Sequence, residues 1–318
     1  MGGKNAVKRV LNVLVKVAAV TGATLLIGSS ISKAYIDKVE PLDNEIKEGV
    51  ANIVFIMDDG WETQYTEGYR ILDKHGLKGN IAIVTDSVGW QNYVSEKQLG
   101  EMYDRGFDVI NHTQTHARLS DLTKDGQRKE IVRASVWLKK KGFERGAETF
   151  IYPYGAYNDD TIDILNEEGF RWARTALDGE NPNKVVGLET YGYELLFGLD
   201  PQLVKKRIDS VIEGKNTLVI YNHKFGPKDD GSGMTYDIKA FEDVVKYIAG
   251  KKEAGKLNVL TVSEYLDVKE VETVDSRDLF SSTEPIKYED YLKLSEYTER
   301  NVDLVDGRWL PVFEEDFT

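Results

Sequence analysis

From residue 51 to 267 the chain alternates short runs rich in β-branched and aromatic residues with longer stretches of helical periodicity. The short runs predict strands over 52–57, 80–85, 107–111, 149–152, 171–175, 217–222 and 258–262. Between them the apolar spacing predicts helices over 66–75, 96–105, 124–141, 159–168, 201–213, 238–252 and 263–267. Ser95 and Asn158 stand at N-cap positions, and Asp200 precedes Pro201 at a first-turn position. Gly76, Gly106, Gly142 and Gly169 follow helical runs, where left-handed C-caps belong. Seven strand-then-helix repeats imply an α/β fold with a parallel sheet and right-handed crossovers, either open and doubly wound or closed into a barrel.

The flanks break this rhythm. Residues 1–34 hold Lys4, Lys8, Arg9, Lys16 and Lys33, no acid, and an apolar run over 17–31. That layout predicts a signal peptide, with Ser32-Lys33-Ala34 as a small-x-small cleavage site. The run is short of the roughly 20 apolar residues of a comfortable span, but uncleaved it would serve as a tilted membrane anchor. The expected location is therefore extracytoplasmic, secreted or held on the outer face of the membrane. Residues 35–50 are polar and read as a linker to a domain over 51–269. The remaining segment, 270–318, carries 14 acids against five bases together with Tyr288, Tyr291, Tyr297, Trp309 and Phe313. It is an acidic extension to which no chemistry is assigned.

Composition narrows the chemistry. Without cysteine, the chain has no disulfide, thiolate metal site or cysteine nucleophile. Its net charge of -13 becomes more negative once the basic leader is removed, which argues against nucleic acid or anionic lipid as a partner. The same charge is compatible with neutral glycans and cationic amino sugar products.

Three of the four histidines lie where strand candidates end. Asp58-Asp59-Gly60 closes the first strand, His112 and His116 follow the third, and His223 closes the run Thr-Leu-Val-Ile-Tyr-Asn-His. In a parallel barrel, side chains at the carboxyl ends of strands converge on one face. Taken singly, the Asp-Asp-Gly is most often a turn, the His pair at i and i+4 a chance spacing, and His223 a structural residue. Together they describe two imidazoles and a carboxylate on a divalent ion that keeps open positions, a set suited to hydrolytic zinc and also to non-haem Fe(II). The second aspartate favours hydrolysis, because an activated water needs a neighbouring base and the leaving amine needs an acid.

These residues resemble the polysaccharide deacetylases, the NodB-homology group also classed as carbohydrate esterase family four. Ile56-Met57-Asp58-Asp59-Gly60 matches the family's Thr-Phe-Asp-Asp-Gly, His112-Thr113-Gln114-Thr115-His116 its metal motif, and Tyr152-Pro153-Tyr154-Gly155 its motif ending Pro-Tyr-Gly. The resemblance implies a distorted (β/α)7 barrel, similar to a TIM barrel, and N-deacetylation of an acetylated amino sugar polymer. It further implies a divalent metal, Zn2+ or else Co2+, Ni2+ or Fe2+, on Asp59, His112 and His116. Asp58 would be the general base and His223 the general acid, with the Tyr154 amide stabilising the oxyanion and Pro153 stiffening the backbone before it. Two family features are missing. Ile151 stands where the family often has an arginine that orients the base; Arg174 is either its replacement or an exposed surface residue. The Asp-x-x-Asp-Trp motif that buttresses the acid is not seen, and Asp178 is a weak stand-in. Trp61, Pro153 and Arg174 are candidate substrate contacts, along with Trp90 and Tyr157, since sugar rings stack on flat apolar surfaces. The loop over 226–236 is glycine-rich enough to move but reads more simply as surface. Rival readings are an O-acetyl glycan esterase, a non-catalytic glycan-binding protein on the same fold, and an Fe(II) oxygenase.

Overall fold

The structure, a computed structural model, describes residues 46–183 and 187–267, together with two short strands near the C-terminus. Both the leader and the first part of the linker lie outside the described residues. No helix among the described residues is long and apolar enough to cross a membrane.

Strands β1 (Ala51–Met57), β2 (Asn80–Ile83), β3 (Asp108–Asn111), β4 (Thr149–Ile151), β5 (Trp172–Asp178), β6 (Gly187–Glu194) and β7 (Thr217–Asn222) are parallel neighbours in that order. Pairing of β1 with β7, from Asn52↔Thr217 to Met57↔Asn222, closes them into a seven-stranded barrel. The helices that cover it are α1 (Arg70–Lys74, entered through a π-helical turn Gln64–Tyr69), α2 (Glu96–Asp104), α3 (Lys124–Lys140), α4 (Asp159–Glu167), α5 (Pro201–Gly214) and α6 (Ile238–Glu253). Their starts follow local chemistry. The Ser95 and Asn158 side chains form capping boxes with Gln98 and Thr161, and Asp200 accepts the Gln202 amide ahead of its proline-led first turn.

The membership of the barrel differs from the sequence expectation. The stave β6 was not anticipated, because its run Gly-Leu-Glu-Thr-Tyr-Gly-Tyr-Glu is mostly half-buried and carries two glycines, so its apolar alternation is weak. The strand expected over 258–262 exists as β10 (Leu257–Leu260) but is not a stave. It pairs with Ala51–Val54 of β1, on the edge where β2 joins only at Ile56 and Met57. Short helix α7 (Val262–Asp267) follows it. Between β7 and α6 the chain forms β8 (Lys224–Gly226) and β9 (Thr235–Asp237), which pair with each other at the base of the intervening loop.

Both faces of most staves are buried, as a parallel sheet under helices requires. Val54, Ile56, Ala82, Ile110, Ile151, Trp172, Val219 and Tyr221 pack in one cluster with Leu260, Val262 and Tyr265 inside the barrel. The alternate residues Ile53, Phe55, Met57, Ile81, Ile83, Val109, Leu218 and Ile220 pack outward with the helices. Phe150, Tyr152 and Ala173 do the same against α3 and α4. The chain divides at residues 269 and 270 into two units. In the second, β11 (Val302–Val305) and β12 (Arg308–Pro311) form an antiparallel pair.

Gly155 closes the turn after β4 at φ +64°, and a Cβ there would lie 2.8 Å from Ala176 N and 2.7 Å from its Cβ. Gly155→Ala therefore combines a left-handed backbone with a backbone clash and is expected to cost about 1–3 kcal/mol. Denaturant unfolding checks this; a loss under about 0.5 kcal/mol would contradict the close approach.

Candidate active site

Side chains alternate along a strand, so the residue two beyond an inward-facing stave position also faces inward, at the barrel mouth. Five residues follow from that rule: Asp58 after Ile56, His112 after Ile110, Arg174 after Trp172, Glu194 after Gly192 and His223 after Tyr221. Gly192 belongs to this inward set because a Cβ on it would meet Arg174 Cδ and Tyr221 Cδ1 at 2.9 Å.

Asp59 and Gly60 turn the chain at the end of β1, with φ of 79° and 83°. This swings the Asp59 carboxylate onto the two imidazoles. Its Oδ1 lies 3.3 Å from His112 Nε2 and 3.3 Å from His116 Nε2, and the two ring nitrogens are 3.2 Å apart. Among the described residues, these three form a group that could hold a metal ion. The His112–His116 segment is not the helical turn its i, i+4 spacing suggests. It is an irregular loop in which Thr113 and His116 adopt φ of 68° and 65°. Side chains hold it: Asn111 Oδ1 accepts the Thr113 amide at 2.9 Å, Thr113 Oγ1 the His116 amide at 3.0 Å, and Glu130 Oε2 the Thr115 amide at 2.9 Å.

The donor set fits a divalent ion. Bonds of 2.0–2.1 Å at the tetrahedral angle put ligand atoms about 3.3–3.4 Å apart, the spacing of this triangle. His112 Nδ1 lies 2.8 Å from the Ile151 carbonyl, which can only accept, so the proton sits on Nδ1 and Nε2 presents its lone pair. Burial lowers the His116 pKa to about 4 against the pull of Asp59, so that ring is neutral near pH 7. Burial raises the Asp59 pKa, but the three surrounding imidazoles, His112 foremost, outweigh it and hold the carboxyl well below the usual range.

Beside the triangle lies a chain of buried charges. Asp58 is 3% exposed; its Oδ2 accepts from Arg174, while Oδ1 is buried without a hydrogen bond among the described residues. Arg174, read from the sequence as a replacement for the base-orienting arginine, a substrate contact or a surface residue, is 2% exposed. A guanidinium that buried has no surface for a glycan. Its place is beneath the site, against Asp58 and 3.7 Å over the Tyr221 ring. The Tyr221 hydroxyl donates to Glu194 Oε2 at 3.2 Å, and Glu194 Oε1 lies 3.1 Å from His223 Nδ1. Burial lowers the His223 pKa, but Glu194 and the charges of Asp59 and Asp58 raise it to about 9. The Asp58 amide donates to Asn222 O at 2.9 Å, which sets Asp58 and His223 at adjacent strand ends. Gln64, fully buried, donates from one Nε2 to the carbonyls of both residues.

Around this, Tyr154 sits at φ 59° with its ring 4.6 Å from His116 and with Arg118 over it at 4.9 Å. Pro153 is buried in the same turn. Trp61 donates to Asp59 Oδ2 at 2.9 Å. Trp90 is 63% exposed, and Tyr157 stacks on Tyr152 and donates to Glu189. Asp178 lies 3.6 Å from Arg207, and Glu194 rather than Asp178 faces His223. Glu194, Tyr221 and Gln64 were missed from sequence. Glu194 was findable only once β6 was recognised as a stave ending in an acid.

Residues 46–173 match the family model for polysaccharide deacetylases. Over that stretch the chain is similar to this family. It is 28% identical over 127 residues to the putative polysaccharide deacetylase YxkH of Bacillus subtilis, covering 40% of this chain and 45% of that one. To the poly-β-1,6-N-acetyl-D-glucosamine N-deacetylase of Staphylococcus aureus it is 31% identical over 130 residues, covering 36% and 44%. The match thus spans under half the length of these curated relatives. Among solved structures, the Streptococcus pyogenes deacetylase PplD in complex with acetate is 27% identical, with 39% of this chain and 55% of that chain covered at a TM-score of 0.38.

If His223 acts as an acid, activity is lost as pH rises through its folded pKa near 9. Glu194→Gln removes the carboxylate charge that opposes burial, so the basic limb of the pH–rate profile is expected to move from near 9 toward neutrality. An unmoved limb would contradict the pairing.

Proposed function

We propose that this chain is a metal-dependent N-deacetylase that removes acetyl groups from an N-acetylated amino sugar polymer of the cell wall or an exopolysaccharide. One observation carries the reading: three ligand atoms 3.2–3.3 Å apart lie beside a carboxylate clamped by arginine and an imidazole clamped by glutamate. Binding a glycan requires a groove but no such acid and base. The curated Staphylococcus aureus relative, named for N-deacetylation of poly-β-1,6-N-acetyl-D-glucosamine, supports the substrate class.

Asp59, His112 and His116 hold the metal, for which zinc suits the donor set and Co2+, Ni2+ or Fe2+ would also serve. When bound there, the ion supplies Lewis acidity for the acetyl carbonyl and for an attacking water. Asp58, its Oδ1 left without a protein partner, takes a proton from that water. Arg174 orients the carboxylate. The Tyr154 amide, set by the left-handed turn of Pro153-Tyr154-Gly155, donates toward the oxygen that gains charge. His223, charged through Glu194, gives its proton to the amine as the C–N bond breaks, leaving acetate and a free amino sugar. The basic leader supports work outside the membrane, released or anchored, where such polymers lie.

The test incubates the full chain with poly-N-acetylglucosamine, chitin oligomers and peptidoglycan, with and without a chelator, and measures free acetate. Acetate release that the chelator abolishes and added zinc restores is expected on at least one polymer. Asp58→Asn is expected to lose about 10²–10⁴-fold in turnover while still binding metal, and His112→Ala to lose both. Full activity of Asp58→Asn would refute the assignment.

A further inference from the structure

Trp61 follows the Asp58-Asp59-Gly60 turn, and its indole is half-buried among side chains of the site. The Tyr93 ring stacks on it with centroids 4.4 Å apart and planes at 24°. Lys224 Nζ stands 4.0 Å over the same ring. The indole is thus in contact with both groups, which restrict its rotation. The strap bearing Tyr93 is fastened to the Trp61 segment by backbone: Glu62 N donates to Asn92 O at 2.7 Å and Val94 N to Gly60 O at 2.9 Å. Lys224 is held in turn by Asp230 at 2.7 Å and by its place directly after His223. The indole has one polar atom, and it is aimed at Asp59 Oδ2 at 2.9 Å.

We propose that Trp61 is a positioning residue for the metal centre: its N–H occupies Asp59 Oδ2 so that Oδ1 alone faces His112 and His116. The inference rests on the reading of those three residues as metal ligands. An aspartate carboxylate turns freely about its last torsion, whose preferences are broad. Without a partner on Oδ2, the Asp59 carboxylate would turn away from the imidazoles or present both oxygens. Partners that orient a ligand from outside typically contribute 10–100-fold in metal affinity. Trp61 does this for Asp59 as the Ile151 carbonyl does for His112, at 2.9 and 2.8 Å respectively. The contacts with Tyr93 and Lys224 restrict the rotational freedom that would otherwise make a single indole hydrogen bond a poor clamp.

The experiment titrates the full chain, stripped of metal, with Zn2+ in competition with a chromophoric chelator. Trp61→Phe keeps an aromatic ring against Tyr93 and Lys224 and removes only the donor. Its Kd for Zn2+ is expected to rise about 10–100-fold with the Tm of the metal-free protein unchanged. A Kd within twofold of wild type overturns the inference and leaves the deacetylase reading standing. A wild-type chain that binds no Zn2+ overturns both. If Trp61→Phe does not fold, the Trp61 indole N–H resonance of the wild type decides. Slow solvent exchange and a shift on adding Zn2+ support the role, and a resonance that Zn2+ leaves unmoved overturns it.

Discussion

The site depends on one constraint, the two-residue alternation of side chains in a parallel barrel that is closed between β1 and β7. Because the inner layer is filled by Val54, Ile56, Ile110, Trp172 and Tyr221, the next inward position on each stave has nowhere to go but the mouth. Polar side chains there meet one another. A one-residue slip in any stave would send its functional side chain outward among the helices and bring an apolar one to the mouth.

Crowding charged groups into a buried mouth carries a desolvation cost, which is met by pairing. Asp58 meets Arg174, Arg174 lies over Tyr221, Tyr221 reaches Glu194, and Glu194 meets His223, so that both proton-transfer groups are tied to one network. Two histidines in the same mouth are driven in opposite directions. His116, with a single carboxylate shared among three rings, is kept neutral, whereas His223, with Glu194 to itself, is kept charged. The difference is the one that the proposed roles of ligand and acid require.

Much of this was legible in the sequence. Strong periodicity and caps placed six of the seven staves and the covering helices, and strand-end position singled out Asp58, Asp59, His112, His116 and His223. The rest was hidden for identifiable reasons. β6 is half-exposed and glycine-bearing, so neither it nor Glu194 carried an apolar signature. β10 is fully buried like a stave but packs below β2 along the first residues of β1, a distinction that pattern does not encode. Whether Arg174 served the base or lay on the surface stayed open in the sequence, because only the fold reveals that its stave parity is inward. The left-handed backbone at Asp59, Thr113 and His116 had no glycine to announce it.

The convergence of Asp59, His112 and His116 on one cation is tested most directly by X-ray absorption at the zinc edge on the zinc-loaded full chain. The expected spectrum has imidazole scattering from two histidines and a first shell of nitrogen and oxygen, with both imidazole contributions reduced in His112→Ala. An oxygen-only shell without imidazole scattering, or one that His112→Ala leaves unchanged, would contradict it.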